Sequence, residues 1–307
     1  MKKRLLIAGG SGLIGTALLR EDLLKEWEIT ILSRHSGPGR MIWEPTRSFI
    51  DFEGRLVFDA IINLAGASIS EGRWTEKKKK EIYQSRMDAC HTIEKYIQEG
   101  RLSTHVYLGA SGIGIYGNRG TNTVNENTSI DHPGSWLVKT VVEWEKAHQR
   151  ISFPGIRNVI LRIGFVLSVD GGALKEILSS PGFGVMPYFG NGNHIWPWIH
   201  IEDVTKMIAF CLDHSHISGT YIAASPNPVS NKSMIRSINH YLSFKRMVVP
   251  VPKIILSVIL GKMHTMLFES CNASSEKIQK EGFSFRFNQI DEALKNLLLN
   301  EKSKSSK

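Results

Sequence analysis

Along the first two thirds of the chain, short apolar, β-branched runs alternate with longer stretches in which apolar residues recur every three to four positions. The runs at 4–8, 28–33, 59–63, 105–110 and 158–163 read as strands, and the stretches at 13–25, 76–98 and 135–150 as amphipathic helices. Strand and helix in alternation is the rhythm of βαβ units, and so of a parallel sheet. After Gly164 the rhythm breaks. A Gly/Pro-rich stretch, SSPGFGVMPYFGNGNHIWPW, leads to a helix near Glu202 and a strand at 220–223; from Pro226 onward the pattern is helical, with GFSFRF as a short extended piece. There is no internal repeat. The expectation is an α/β fold: a Rossmann-type doubly wound parallel sheet over 1–225, a smaller, mostly helical C-terminal lobe over 226–300, and a disordered tail at 301–307. The insert at 168–197 contributes to that lobe.

Composition changes this picture little. In 307 residues, 42% are hydrophobic and 22% charged, an ordinary globular balance with enough chain to bury a large core. The net charge of +9 favours anionic ligands without choosing among them, and the run Lys77 to Lys80 reads as a solvated helix face. No basic and aromatic array suggests nucleic acid. The apolar part of MKKRLLIAGG is too short for an export signal, and IILSVILGKMHTMLF, interrupted by Gly261, Lys262 and His264, falls short of a membrane span and reads as a buried helix. Three isolated cysteines make neither a disulfide framework nor a zinc site, and no clustered ligand set suggests a metal. The expected setting is the cytoplasm, with no membrane partner; the oligomeric state is open.

The candidate chemistry begins at LLIAGGSGLIGTALL, where Gly9, Gly12 and Gly15 follow a strand and head an apolar helix. The first glycine allows a tight turn, the second lets backbone approach a pyrophosphate, and the third lets the helix pack close to the strand. The second strand ends in ILSRHSGPGR. It has no acid to take a ribose 2′-hydroxyl; Arg34, with Ser33 and Arg40 beside it, suits a 2′-phosphate and points to NADP(H).

With GGSGLIG, INLAG, GASGIGIYG, LRIGFVL and WIHIEDV in this order, the chain resembles the extended short-chain dehydrogenase/reductase superfamily. More narrowly, NLAGASISEGRWTEKKKKEIYQSR, GNGNHIWPWIHIEDV and PNPVSNKSM are similar to the atypical, YfcH-like epimerase family, and the segment from VPVPKIILSVILGKM to EGFSFRF resembles that family's C-terminal domain of unknown function. The resemblance implies a Rossmann fold with a nicotinamide dinucleotide. By it, Gly9, Ser11, Gly12, Leu13, Ile14 and Gly15 would line the pyrophosphate, Arg34 the adenosine phosphate, and Leu64, Ala65 and Gly66 the ribose and the bridge.

Ordinary members of that superfamily carry a Tyr-x-x-x-Lys pair on one helix face. A tyrosine with an unperturbed pKa of about 10 exchanges protons there because an ammonium lies beside it. In the same register this chain has Ser135 and Lys139, so the tyrosine is absent. Lys139 then has two readings, a contact to the nicotinamide ribose or a solvated charge on the polar stripe of Ser135, Lys139, Glu143 and Lys146. Ser111 and Tyr116 of GASGIGIYG are the other catalytic candidates, since the end of that strand borders the ligand crevice in open α/β sheets. His200 and Asp203 admit a dyad or a helix cap. Trp74, Arg86 and Trp198, with Arg73 and Trp196, mix aromatic faces with positive charge and are the substrate candidates, for a small molecule that is planar or anionic. The function expected is an NADP(H)-dependent oxidoreductase or nucleotide-sugar-epimerase-like enzyme acting on a small substrate. Its rival is a non-catalytic NADP(H)-binding regulator or scaffold.

Overall fold

The computed structural model describes residues 2–130, 134–179 and 184–299, Leu23 by its backbone alone. Strands β1 Lys3–Ala8, β2 Trp27–Ser33, β3 Arg40–Glu44, β4 Phe49–Ile50, β5 Leu56–Asn63, β6 Leu102–Gly112, β7 Arg157–Ile163 and β8 Gly219–Ala223 form one sheet in the order β8-β7-β6-β5-β1-β2-β3-β4. All neighbours run parallel except β3 and β4. Both faces are covered, which is why the strands read as near-continuous apolar runs. Leu5, Ile7, Ile62 and Leu161 belong to one core cluster, and Leu6, Ala8, Ile61 and Tyr107 to another. The chain leaves β1 toward β2 and returns as β5 on β1's other side. That reversal opens a crevice at the carboxyl ends of β1 and β5.

The helices are α1 Leu13–Leu18, α2 Glu76–Gln98, α3 Trp136–Gln149, α4 Gly172–Ser179, α5 Ile201–Asp213, α6 Asn231–Tyr241, α7 Lys253–Leu260, α8 His264–Leu267, α9 Glu276–Lys280 and α10 Ile290–Leu299. Side chains cap the two that border the crevice: Thr75 accepts from Lys78 N on α2, and Ser135 from Val138 N on α3. The first helix is shorter than the periodicity of 13–25 predicts. Glu21 turns extended and its carboxylate accepts from Thr205 Oγ1 on α5 (2.5 Å), so packing on α5 replaces the last helical turns with one 3-10 turn, Asp22–Leu24.

A second cluster joins Met186, Phe189, Trp196 and Trp198 to Ile235 and Ile238 of α6 and Leu294 and Leu297 of α10. Val185–Phe189 pairs parallel with Met247–Val251, and Ile195–Trp196 antiparallel with Val229–Ser230. Two expectations fail here. The apolar run after Pro252 is not a buried helix: α7 keeps Leu256 inside but leaves Ile254, Ile255, Val258 and Ile259 exposed. GFSFRF is not a strand either; Asp203, fully buried, accepts Arg286 N (2.8 Å) and Phe287 N (3.0 Å), and those bonds hold the segment in an irregular course. The expected tail at 301–307 lies outside the described residues. No helix among the described residues is long and apolar enough to cross a membrane.

Candidate active site

The crevice between β1 and β5 is walled by backbone. Gly9 has φ +82°, and a Cβ on it would lie 2.6 Å from Leu64 C and 2.8 Å from Ala65 N. One on Gly15 would strike Gly9 O and lie 2.7 Å from Gly10 Cα. Only glycine fits at either position. Gly12, exposed at the head of α1, donates its N–H to Gly9 O (3.0 Å), leaving its own Cα side open to a ligand. Ser11 is exposed, and Leu13 and Ile14 are half-buried beside it. Across the crevice the loop Leu64–Gly66 is pinned: Leu64 N donates to Ala8 O (2.9 Å) and Ala65 N to the buried Asn63 Oδ1 (3.1 Å). At the end of β2, Ser33 Oγ accepts from His35 N (3.1 Å), and Arg34 is exposed with no hydrogen-bond or ion-pair partner among the described residues. These are walls and donors that fit the two phosphate-bearing parts of a dinucleotide.

A cavity of about 150 Å³ lies at the carboxyl ends of β6 and β7. Its walls are largely apolar: Ile82 from α2, Ile113 after β6, Leu137, Val141 and Trp144 from α3, Phe165 after β7, and Met266. The α3 register places the polar and the apolar stripe of that helix. A period of 3.6 turns Leu137, Thr140, Val141 and Trp144 to the cavity, and Lys139 outward with Glu143 and Lys146, which pair with each other at 3.0 Å. Lys139 is exposed and does not line the cavity. The cavity-facing pairs four residues apart are Leu137 with Val141 and Thr140 with Trp144; neither is a tyrosine with a lysine, and Thr140 Oγ1 donates to Trp136 O (3.0 Å).

Ser111 and Tyr116 are also spoken for. Arg162 on β7 makes a bidentate ion pair with Glu145 on α3 (Nη2 to Oε1 2.5 Å, Nε to Oε2 2.9 Å), their side chains only 6% and 4% exposed. Ser111 Oγ donates to Glu145 Oε2 (2.9 Å); Tyr116 Oη accepts from Arg162 Nη1 (2.6 Å) and donates to Asn125 O (2.7 Å). Burial works against the Arg162 charge, but the bonded Glu145 carboxylate more than offsets it and lifts the guanidinium above its ordinary value. Burial pushes the Tyr116 phenol up to about 12 despite Arg162. Both candidates brace a buried ion pair and lie outside the cavity lining. The overlooked signals were Glu145 amid the apolar face of α3 and Arg162 inside an apolar strand, since charges at such positions are almost always paired.

Of the substrate candidates, only Arg86 lines the cavity. Trp74 is buried, donates to Ile69 O (2.9 Å) and meets Trp136 edge-on; Trp198 is fully buried, donates to Asn227 O (3.0 Å) and belongs to the second core cluster. Trp196 stacks on Phe165, and Arg73 caps α7 by donating to Val258 O and Ile259 O. His200 is the cap of α5, accepting from Glu202 N through Nδ1, with burial drawing its pKa down to about 4. A further buried cluster also escaped the sequence reading: Tyr107 Oη lies 2.7 Å from His148 Nδ1, beside Cys90 and Asn63. Burial holds His148 near 3 and Cys90 near 12, so this group is neutral and structural.

The group the sequence did not reveal is Glu269. Asn272–Ala273 pairs with Thr123–Val124, and Ser270 is tied to Gly120 O (2.6 Å) and Ile195 N (2.9 Å), which brings Glu269 to the cavity wall next to Met266 and Cys271. Burial raises its carboxyl above the usual range, while Ser135 Oγ, donating at 3.1 Å, holds it in place and pulls the other way. No motif surrounds it. Its partner Ser135, the cap of α3, lies 134 residues earlier, and only the fold brings the two together.

The chain matches the family described as "NAD dependent epimerase/dehydratase family" over residues 5–223, and a "Domain of unknown function (DUF1731)" over 251–297. It is 31% identical to Epimerase family protein YfhF of Bacillus subtilis over 305 residues, covering 97% of this chain and 98% of that one. With Epimerase family protein SDR39U1 of Mus musculus the identity is 29% over 301 residues, covering 96% and 99%. The crystal structure of human SDR39U1 with NADPH superposes with a TM-score of 0.88 at 27% identity, over 97% of this chain and 99% of that one. MoeE5 in complex with UDP-glucuronic acid and NAD shares the fold alone, with a TM-score of 0.74 at 14% identity over 99% and 100%.

Proposed function

Because the chain belongs to the NAD dependent epimerase/dehydratase family, we propose that it is an NADP(H)-dependent oxidoreductase or epimerase-like enzyme acting on a small molecule in the cavity beside Glu269. The observation that carries this reading is the crevice at Gly9 and Gly15, where side chains are excluded and backbone is offered. The NADPH bound to human SDR39U1 supports it. In this reading Gly9, Ser11, Gly12, Leu13, Ile14 and Gly15 hold the pyrophosphate, Ser33 and Arg34 the adenosine 2′-phosphate, and Leu64, Ala65 and Gly66 the ribose side. The bound nicotinamide supplies or takes up a hydride. Glu269 gives its proton to a substrate oxygen, the carboxyl O–H breaking as the substrate hydroxyl forms, and takes one back in the reverse direction. The apolar walls exclude water and raise that carboxyl above its ordinary range, which favours its protonated form.

The test is a pair of titrations. Wild-type protein should bind NADPH more tightly than NADH, and Arg34→Asp should reduce that preference by about ten-fold or more, the worth of a charge-assisted contact. An unaltered ratio would remove Arg34 from the phosphate site. For the proton step, NADPH oxidation is followed across small aldehydes and ketones. Glu269→Gln should slow it by about 10²- to 10⁴-fold without changing NADPH affinity. The wild-type reductive rate should fall as pH rises through the elevated Glu269 pKa, because the proton donor is then lost. Leu137 and Val141 in the cavity favour a second reading, a regulator that binds NADP(H) without turnover; tight NADPH binding with no oxidation across the panel would select it.

A further inference from the structure

Arg86 is 9% exposed and lines the cavity, yet no carboxylate lies within ion-pair distance of it among the described residues. Nη1 donates to Ala67 O (3.0 Å) and Ile82 O (2.9 Å), while Nε and Nη2 have no hydrogen-bond acceptor among the described residues. The guanidinium lies over the Trp144 ring, 4.7 Å from its centroid. That stacking fixes the plane of the fork and leaves its edge free to meet an acceptor in that plane. The chain's other well-enclosed arginines are provided for: Arg162 has Glu145, and Arg157 donates to three backbone carbonyls, Cys211 O, Leu212 O and Ile217 O. A buried cation without a counter-charge is costly, and burial alone draws Arg86 down to about 10.

We propose that Arg86 receives the carboxylate of the substrate, which makes the substrate a compact organic acid with an apolar body carrying the oxygen that Glu269 serves. The binding part stands by itself, and the reactive part rests on the function proposed above. Size and charge both narrow the class. A cavity of about 150 Å³ between apolar walls has room for a body of roughly benzene size beside the carboxylate. No second lysine or arginine among the described residues lines it, so a monoanion is matched and a phosphate dianion is not. Glu269 works in the same direction: a carboxylate seated in the cavity it shares would oppose its ionisation.

The experiment titrates the full-length protein with benzoate and with its neutral isostere benzamide, following tryptophan fluorescence, to which Trp144 contributes directly, and calorimetry. Titrations run with and without saturating NADP⁺. Benzoate should bind about ten-fold or more tightly than benzamide, Arg86→Gln should erase that difference, and Arg86→Lys should restore part of it. NADPH affinity should stay within about two-fold of wild type in both variants. Equal binding of benzoate and benzamide to wild type, or binding of neither, overturns the proposal even if Arg86→Gln does not fold. A loss of NADPH affinity in Arg86→Gln that matches the benzoate loss would assign Arg86 to the cofactor's phosphates, and inorganic phosphate displacing benzoate at equal concentration would overturn the monoanion class. Failure of NADPH binding in wild type would sink the proposed function while leaving the benzoate comparison readable.

Discussion

Replacing Arg162 by methionine is expected to destabilise the protein by about 3–5 kcal/mol, enough to leave a domain of this size barely folded. The reason is the partner left behind. Glu145 would stay buried with its carboxylate accepting only from Ser111 Oγ, and Tyr116 would lose the donor that complements its bond to Asn125 O. Glu126 is drawn in as well, because its backbone oxygen accepts from Arg162 and its side chain from Ile222 N (2.8 Å). Removing both charges is the informative control. Arg162→Met with Glu145→Leu leaves no orphan ion and should recover most of the loss. Urea unfolding of the wild type, Arg162→Met, Glu145→Leu and the double variant measures this. A single variant within about 1 kcal/mol of wild type, or a double variant no better than the single, would show that the pair is not a coupled buried unit.

That ion pair also shows where residue patterns stop being informative. The parallel sheet was legible because β1, β5 and β6 are apolar on both faces, and the glycine turn because Gly9 and Gly15 meet backbone that tolerates no side chain. The extent of α2 was legible because Thr75 caps it and Ile82, Ala89, Ile93 and Ile97 repeat on one face. Polar stripes are more ambiguous. Lys139 and Thr140 are neighbours on α3, and a polar stripe next to an apolar one can face a ligand or water with no change in sequence. Here the apolar stripe itself faces the cavity. Similarly, an apolar run does not say what covers it, as the exposed side chains of α7 show. Arg86 was legible as a substrate candidate, but its partnership with Glu269 lies beyond any pattern, the two being 183 positions apart and joined only by the cavity they line.

The remaining large effect concerns a single methyl group. Gly9→Ala should weaken NADPH binding by about 100-fold or more, equivalent to roughly 3 kcal/mol, and should also cost stability. Two terms add. The positive φ of +82° strains any L side chain, at about 1–2 kcal/mol. The new Cβ would then meet Leu64 C at 2.6 Å and Leu64 O at 2.7 Å, backbone atoms fixed by Asn63 and Ala8, and overpacking of that kind costs about 1–3 kcal/mol more. The loop carrying Leu64, Ala65 and Gly66 would have to move, and with it the wall of the crevice. Gly100→Ala isolates the first term: its φ is +69°, but nothing lies within 4 Å of the added carbon. It should cost about 1–2 kcal/mol and leave NADPH affinity untouched. Thermal unfolding and NADPH titration of the two variants side by side give both readings. If Gly9→Ala costs no more than Gly100→Ala and binds NADPH as wild type does, the close approach of Gly9 to Leu64 is not what shapes the cofactor site.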